Sequence, residues 1–337
     1  MAANNKKKAK NDVFQQESLG RHLKKYWQLY VMMLIPVIYY VIFRYVPMVG
    51  NIIAFRRYRA GSSIFGDEWS GLKYFNQFIK DTNFWRAFRN TLALNIKYLV
   101  ISFPITIVFA VLLNEIKNVH YKKLVQTISY LPHFISMVIV AGMIRELVST
   151  SGPINSLIVS MGGEPIPFIS LPQWFTTIFV TSGIWQGLGW GTILYLAAMS
   201  GINPELYEAA SLDGANRLKQ IWHVTLPGIL PTIMTLLILN IGSLCGSAAF
   251  EKVFLLYQPT TYETADIIAT YVYRMGLGSG NYSYATAVGL FQGLININFP
   301  YYLHRKILPA AAVAIFLHFI IGKITSAVAC RKDFFSH

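Results

Sequence analysis

Charged residues are scarce in this sequence. They make up 13% of its 337 residues, whereas 54% are hydrophobic; soluble domains carry about 25% charged residues. A soluble chain of this size cannot hide so much apolar surface, which excludes an ordinary cytosolic enzyme. The 2 cysteines exclude a disulfide framework, and the 15% aromatic content excludes a disordered chain. The composition therefore predicts a membrane protein.

Sequence motifs for catalysis and nucleotide binding are also missing. The only Gly-Lys pair, Gly322-Lys323, lacks both the preceding glycine and the following Ser or Thr of a P-loop. His133 has no second His, Cys or carboxylate at ligand spacing, and no nucleophile–base pattern is present. We expect no catalytic residue, no metal site, no ATPase site and no cofactor bound by this chain.

Long apolar runs dominate what is present. A membrane helix needs roughly 20 mostly apolar residues, because the hydrocarbon core is about 30 Å thick. Six such runs lie at about 26–48, 91–114, 124–148, 174–201, 228–250 and 284–299. Asn296 to Pro300 interrupts the sixth run, and an apolar segment at 308–329 follows. The predicted fold class is an all-α polytopic membrane protein with six spans and an atypical extra apolar C-terminal segment, 301–337.

Lys and Arg residues predict the orientation. They number 29 against 15 Asp and Glu, which in a membrane protein indicates basic cytoplasmic loops rather than binding to nucleic acid. The tail 1–25 and the loops after the second and fourth runs are basic, whereas 149–173 contains no Lys or Arg. This predicts a cytoplasmic N-terminus and an extracellular loop at 49–83. The seven Lys and Arg residues within 50–90 disagree with that assignment.

The segment 203–227 after the fourth run reads as a helical hairpin. Asn203 can cap a helix that has Pro204 at its first position, and Asp213-Gly214 supplies the left-handed residue that ends it. A second short helical stretch, 217–224, leads to Leu226-Pro227, where the proline marks the start of the fifth run. A plain connector between two spans is the alternative interpretation.

The residues of this hairpin match a known signature. Glu208-Ala209-Ala210, then Gly214, then Leu226-Pro227 resemble the EAA loop of permease subunits of binding-protein-dependent ABC importers. Val224 stands where the family usually has isoleucine. The resemblance covers about 84–294, the type I (MetI-like) permease domain, here placed at 84–300. Residues 83–92 and Leu131-Pro132 are most similar to its branch for uptake of oligosaccharides and polysaccharides.

The resemblance implies a mechanism and a set of partners. The EAA loop, with Glu208, Ala209, Ala210, Gly214, Leu226 and Pro227, would dock on separate ABC ATPase subunits that consume ATP. A second permease subunit, as a heterodimer, and an extracellular solute-binding lipoprotein would complete the importer. The location implied is the bacterial cell membrane, and the implied cargo is a carbohydrate.

Polar and aromatic residues inside the runs are candidates for the substrate path. Sugars stack on aromatic rings and bind amides, and polar residues at membrane depth often line a cavity. The candidates are Trp185, Gln186, Asn240, Gln292 and Asn296. Hydrogen bonding between helices is the alternative explanation. Gly183, Gly187 and Gly191 form a small-residue stripe that predicts close helix packing.

Two other functions predict different sequence features. A secondary transporter of small solutes should have internal repeats and an acidic residue at mid-membrane, and neither is found. A polytopic membrane enzyme should show a cluster of catalytic carboxylates or histidines at one membrane face. Glu251 and Lys252 are adjacent opposite charges near a span end. The tyrosines of the loop after the fifth run predict either a contact for the solute-binding protein or an interfacial belt; they are Tyr262, Tyr271, Tyr273, Tyr282 and Tyr284.

Overall fold

The computed structural model describes residues 23–63, 65 and 68–306, with side chains described up to residue 296. Apart from one two-stranded ladder, β1 (Arg56–Arg57) with β2 (Glu68–Trp69), the described regular structure is helical. The first helices are α1 (Trp27–Phe55), α2 (Lys73–Ile79), α3 (Thr82–Glu115), α4 (Val119–Tyr130), α5 (Met137–Leu147), α6 (Pro153–Ser160) and α7 (Pro172–Gly191). They are followed by α8 (Ile193–Ser200), α9 (Pro204–Leu212), α10 (Arg217–Gly242), α11 (Phe250–Leu256), α12 (Tyr262–Ala265), α13 (Ile268–Tyr273) and α14 (Tyr282–Lys306).

The predicted apolar runs fall on these helices. Within the described residues, α1, α3 and α10 are each long and apolar enough to cross a bilayer, and α4 with α5 forms a bent fourth candidate. The run 174–201 corresponds to α7 and α8, and the run 284–299 lies within α14. The all-α polytopic fold class is confirmed. The basic tail up to residue 22 and the apolar segment 308–329 lie outside the described residues.

The third predicted span is broken rather than continuous. A 3-10 turn, Leu131–Phe134, follows α4, and α5 starts after Ser136, whose hydroxyl accepts a hydrogen bond from the Ile139 N–H at 3.4 Å. The helices on either side of this break make an angle of 99°. Pro132 has no N–H for a continuing helix, and Ser136 offers a new N-cap, so the break is written into the local sequence.

The helices continue through two prolines at which the sequence indicated the boundary of a span. Helix α10 passes through Pro227, with a π-helical turn at Ile221–Thr225 directly before it. This wider turn lies where the proline ring would press on the carbonyl four residues earlier. Helix α14 likewise runs unbroken past Asn296 and Pro300. The fifth predicted span instead ends early, at Gly242.

The small-residue stripe packs α7 against α3. A Cβ atom on Gly183 would lie 2.7 Å from the Tyr98 ring, and one on Gly191 would lie 2.9 Å from Thr106. Side chains at these positions would push the two helices apart. Buried apolar residues of α3, α5, α7 and α11 surround this contact and form a continuous core. The predicted close packing therefore takes place within the subunit.

A polar cluster joins the start of α3 to α13 and α14. Asp81 is the N-cap of α3, and its carboxylate accepts hydrogen bonds from the Tyr271 hydroxyl and, at 3.0 Å, from the Tyr284 hydroxyl. The two hydroxyls are 2.8 Å apart, and both rings are buried. Tyr271 and Tyr284 therefore hold the fold together, which corrects their interpretation as receptor-contact or interfacial residues.

Replacing Tyr271 by Phe removes one hydrogen bond to the Asp81 carboxylate and keeps the ring. We expect a loss of about 1–3 kcal/mol, since a charged acceptor loses a buried donor. The midpoint of thermal unfolding in detergent measures it. Tyr273→Phe, at a ring that is 39% exposed, is the matched control and should unfold like the wild type. Equal midpoints for the two variants would contradict the assignment.

The same cluster predicts a pH dependence. Burial disfavours the charged form of Asp81, but hydrogen bonds from Tyr271, Asn83 and Tyr284 outweigh it and lower the pKa of this carboxyl below its ordinary 3.8. The stabilisation is therefore present above pH 3.8 and is lost as the pH falls below that value. We expect the unfolding midpoint of the wild type to fall more steeply on acidification below that pH than the midpoint of Asp81→Asn. Parallel curves would refute the role of Asp81.

Candidate functional site

The 203–227 hairpin is built by local capping interactions. The Asn203 side chain accepts a hydrogen bond from the Glu205 N–H at 3.1 Å, and Pro204 occupies the first turn of α9. Gly214 has φ +74°, the left-handed conformation predicted for it. The Ala215 N–H then bonds back to the Ala210 carbonyl at 2.9 Å, which ends the helix in the way a C-terminal glycine allows.

Side-chain contacts fix this hairpin to the helical bundle. The Tyr207 hydroxyl lies 3.0 Å from the hydroxyl of Thr225, which is fully buried in α10. The Arg217 guanidinium pairs with Glu115 at the end of α3 at 3.2 Å. This ion pair is largely exposed and contributes little by itself, so the Tyr207–Thr225 contact is the stronger connection. Helix α9 is thereby joined to α10, and the start of α10 is joined to the end of α3.

The outer face of the hairpin is exposed and partly apolar. Leu212 is 89% exposed, Leu218 is 75% exposed and Trp222 is 68% exposed. Glu208, Ala209 and Gly214 are exposed beside them, and Ala210 is half-buried. Single exposed apolar side chains are ordinary, but large ones grouped on a capped hairpin form a surface suited to a protein partner.

Leu226 and Pro227 lie apart from that exposed face. Both are half-buried, and Leu226 packs against the buried residues Ala110, Tyr195 and Ile229. These two members of the predicted set therefore support the base of the hairpin rather than its outer surface.

A cavity of about 460 Å³ lies between α3, α7, α10 and α11. Gln186 and Asn240, both predicted as path residues, line it together with Asn95, Tyr98 and Lys252. A neighbouring cavity of about 430 Å³ shares Tyr98 and Asn240 with it. Both volumes fall in the range of small-molecule sites, and amides in such a site can bind hydroxyl groups.

The other three predicted path residues do not line this cavity. Trp185 faces an apolar groove formed with Met143, Ile178 and neighbouring side chains. The Gln292 amide donates to the Cys245 carbonyl at 2.6 Å and lines a separate cavity near α13 and α14. Asn296 lies further along α14, and its buried Oδ1 has no partner among the described residues. The structure thus brings together two of the five candidates.

Comparison with known proteins decides the family. The family described as binding-protein-dependent transport system inner membrane component matches residues 102–321. The chain belongs to this family. It is therefore an inner-membrane permease of a binding-protein-dependent ABC importer, as the EAA resemblance predicted.

Curated relatives extend over most of this permease. It is 45% identical over 289 residues to the polygalacturonan/rhamnogalacturonan transport system permease protein YteP of Bacillus subtilis (strain 168), which covers 85% of this chain and 90% of that protein. It is 44% identical over 276 residues to protein LplB of the same organism, covering 82% of this chain and 86% of that protein.

A solved structure agrees with the fold. A chain in the crystal structure of a bacterial ABC transporter involved in import of the acidic polysaccharide alginate superposes with a TM-score of 0.79 at 41% identity, covering 86% of this chain and 99% of that chain. A second structure, of the bacterial alginate transporter in complex with an alginate pentasaccharide-bound periplasmic protein, gives a TM-score of 0.78 at the same identity, covering 86% and 98%.

Residues that were not path candidates also line this cavity, among them Asn95, Tyr98, His133 and Lys252. His133 stacks on Trp190 with ring centroids 4.5 Å apart, so its ring packs against α7. Asn95 and Tyr98 are three residues apart on α3, a spacing that places them on one helix face and that could have identified them. Lys252 does not pair with Glu251, which is exposed while Lys252 is buried. The two adjacent charges therefore lie in different environments.

Gly214→Val tests the turn of the hairpin. A Cβ at Gly214 would meet nothing within 4 Å, so any effect comes from the left-handed backbone, which costs a β-branched residue about 1–2 kcal/mol. We expect faster amide hydrogen exchange across 204–216 in this variant. Gly214→Asn, which tolerates this conformation, should exchange like the wild type. Unchanged exchange in Gly214→Val would contradict the role of this glycine.

Proposed function

We propose that this permease forms the translocation path for an oligosaccharide or polysaccharide fragment. A solute-binding lipoprotein delivers the cargo, and a separate ABC ATPase drives transport through the 203–227 hairpin. The cargo class is supported by relatives whose names specify polygalacturonan, rhamnogalacturonan and alginate. The partners are supported by the family description and by the structure of an alginate transporter with its periplasmic protein.

The connection between the exposed hairpin and the cavity walls carries this proposal. Helix α9 bonds to α10 through Tyr207 and Thr225, and Arg217 bonds to the end of α3. The same two helices supply Asn240, Asn95 and Tyr98 to the cavity. A displacement of the hairpin by an ATPase would therefore move two walls of the path. Glu208, Ala209, Ala210 and Gly214 are the proposed docking residues.

The cavity has the chemistry that a sugar needs. The Asn95 amide donates to the Leu244 carbonyl at 2.6 Å, and the Asn240 amide donates to the Leu236 carbonyl at 2.7 Å. Each amide group keeps one N–H and its carbonyl oxygen for a ligand. Tyr98 adds an aromatic face, on which a pyranose ring can stack. Gln186 and Asn240 are thus proposed as path residues.

The remaining parts of the proposal come from the sequence. ATP is consumed by the partner subunit, since the Gly322-Lys323 pair is not a P-loop. A second permease, as a heterodimer, completes the path. The N-terminus and the hairpin face the cytoplasm of the bacterial cell, because the basic tail and the basic loops at 115–123 and 217–219 favour that side.

Cross-linking tests the orientation and the coupling together. Ser211→Cys places a thiol on the exposed side of α9, and Ser279→Cys places one beyond the other end of α10. In intact cells we expect a membrane-impermeant maleimide to label residue 279 and spare residue 211. A bifunctional thiol reagent should join residue 211, but not 279, to the ATPase.

An uptake measurement completes this test. Replacing the P-loop lysine of the ATPase should abolish uptake of labelled oligogalacturonate in proteoliposomes that contain the whole complex, because motion of the hairpin needs nucleotide. Labelling of residue 211 from outside, or uptake that persists with the inactive ATPase, would overturn the proposal.

A further inference from the structure

Lys252 is a buried cation in the wall of the central cavity. Its residue is 6% exposed on α11, and its ammonium donates to the Phe179 carbonyl oxygen at 2.8 Å. The nitrogen also lies 4.8 Å from the centroid of the Phe179 ring. A lysine ammonium has three N–H donors, and the carbonyl uses one of them. The others remain for a ligand.

The surroundings of this ammonium contain no compensating charge. The described ion pairs join Arg217 to Glu115 and Arg274 to Asp266, so no described carboxylate lies within 4.0 Å of Lys252. No Asp or Glu is found among the described residues that line the cavity. A cation removed from water is costly unless an anion pairs with it.

The absence of a side chain at Gly183 leaves room for the Lys252 ammonium beside α7. A Cβ on Gly183 would lie 3.1 Å from the Lys252 nitrogen and 2.7 Å from the Tyr98 ring. Any larger residue at Gly183 would displace the ammonium or the ring. The ammonium therefore lies beside Tyr98 and within the same cavity as Asn95, Gln186 and Asn240.

This arrangement matches an acidic sugar better than a neutral one. A carboxylate would form a charge-assisted hydrogen bond with the ammonium, while the neighbouring amides bind the ring hydroxyls. A neutral sugar offers hydroxyl groups alone and leaves the charge uncompensated. Ionisable residues at membrane depth that face a cavity mark substrate pathways.

We propose that Lys252 is a specificity-determining residue that binds a carboxylate of the cargo, so that the permease selects oligosaccharides carrying uronate groups. This inference rests on the proposed function and deepens it. The alternative is a purely structural role, in which Lys252 only joins α11 to α7 through the Phe179 carbonyl. The test must distinguish this role from binding of the cargo.

Binding measured without the solute-binding protein tests this role directly. The purified complex of this chain with its second permease and ATPase is titrated with trigalacturonate and with its carboxyl-reduced, neutral counterpart. We expect Lys252→Met to weaken trigalacturonate binding by about tenfold or more, equal to about 1.4 kcal/mol, and to leave binding of the neutral sugar unchanged. Lys252→Arg keeps the charge and should retain most of the preference for the acid.

Lys97→Met is the matched control, since Lys97 is exposed on α3 and should bind both sugars like the wild type. Three results would overturn the inference: equal affinity of the wild type for both sugars, an unchanged acid preference in Lys252→Met, or equal weakening of both sugars in that variant. The proposed function is judged separately, by ATP-dependent uptake in proteoliposomes. If the wild type shows no ATP-dependent uptake, that function is refuted. If the wild type takes up the sugar normally and Lys252→Met keeps its preference for the acidic over the neutral sugar, only the role of Lys252 is refuted.

Discussion

The contact between Tyr207 and Thr225 joins the exposed 203–227 hairpin to α10, one of the helices that line the cavity. Thr225 is fully buried, so its position is set by the packing of α10 rather than by solvent. Tyr207 lies on α9, in the exposed hairpin. A hydrogen bond between an exposed element and a buried side chain can transmit displacement, because the packed interior resists compression.

The close approach of α7 and α3 fixes two walls of the cavity relative to each other. The glycines of α7 let Tyr98 and Thr106 lie against its backbone, so these two helices are closely packed. The broken segment between α4 and α5 brings His133 to the same cavity. The cavity is therefore bounded by one closely packed helix pair and by the broken segment that follows α4.

Features encoded by local sequence could be predicted, and those encoded by packing could not. The Asn203 cap and the left-handed Gly214 depend on a few neighbouring residues, so the hairpin was predicted correctly. Trp185 and Gln186 are adjacent, but successive side chains on a helix point about 100° apart, and only Gln186 reaches the cavity. Sequence position near a span end gave no sign that Lys252 turns inward. The bend after α4 was missed, because a continuous apolar run hides a change of direction.

The π turn before Pro227 also shifts the phase of the helical wheel. One extra residue in a turn rotates everything upstream by about 100° relative to everything downstream. Trp222, within that turn, points outward, while Thr225 and Ile229 point inward. The portions of α10 before and after this turn therefore follow two separate registers, and a hydrophobic periodicity calculated across the junction would describe neither of them.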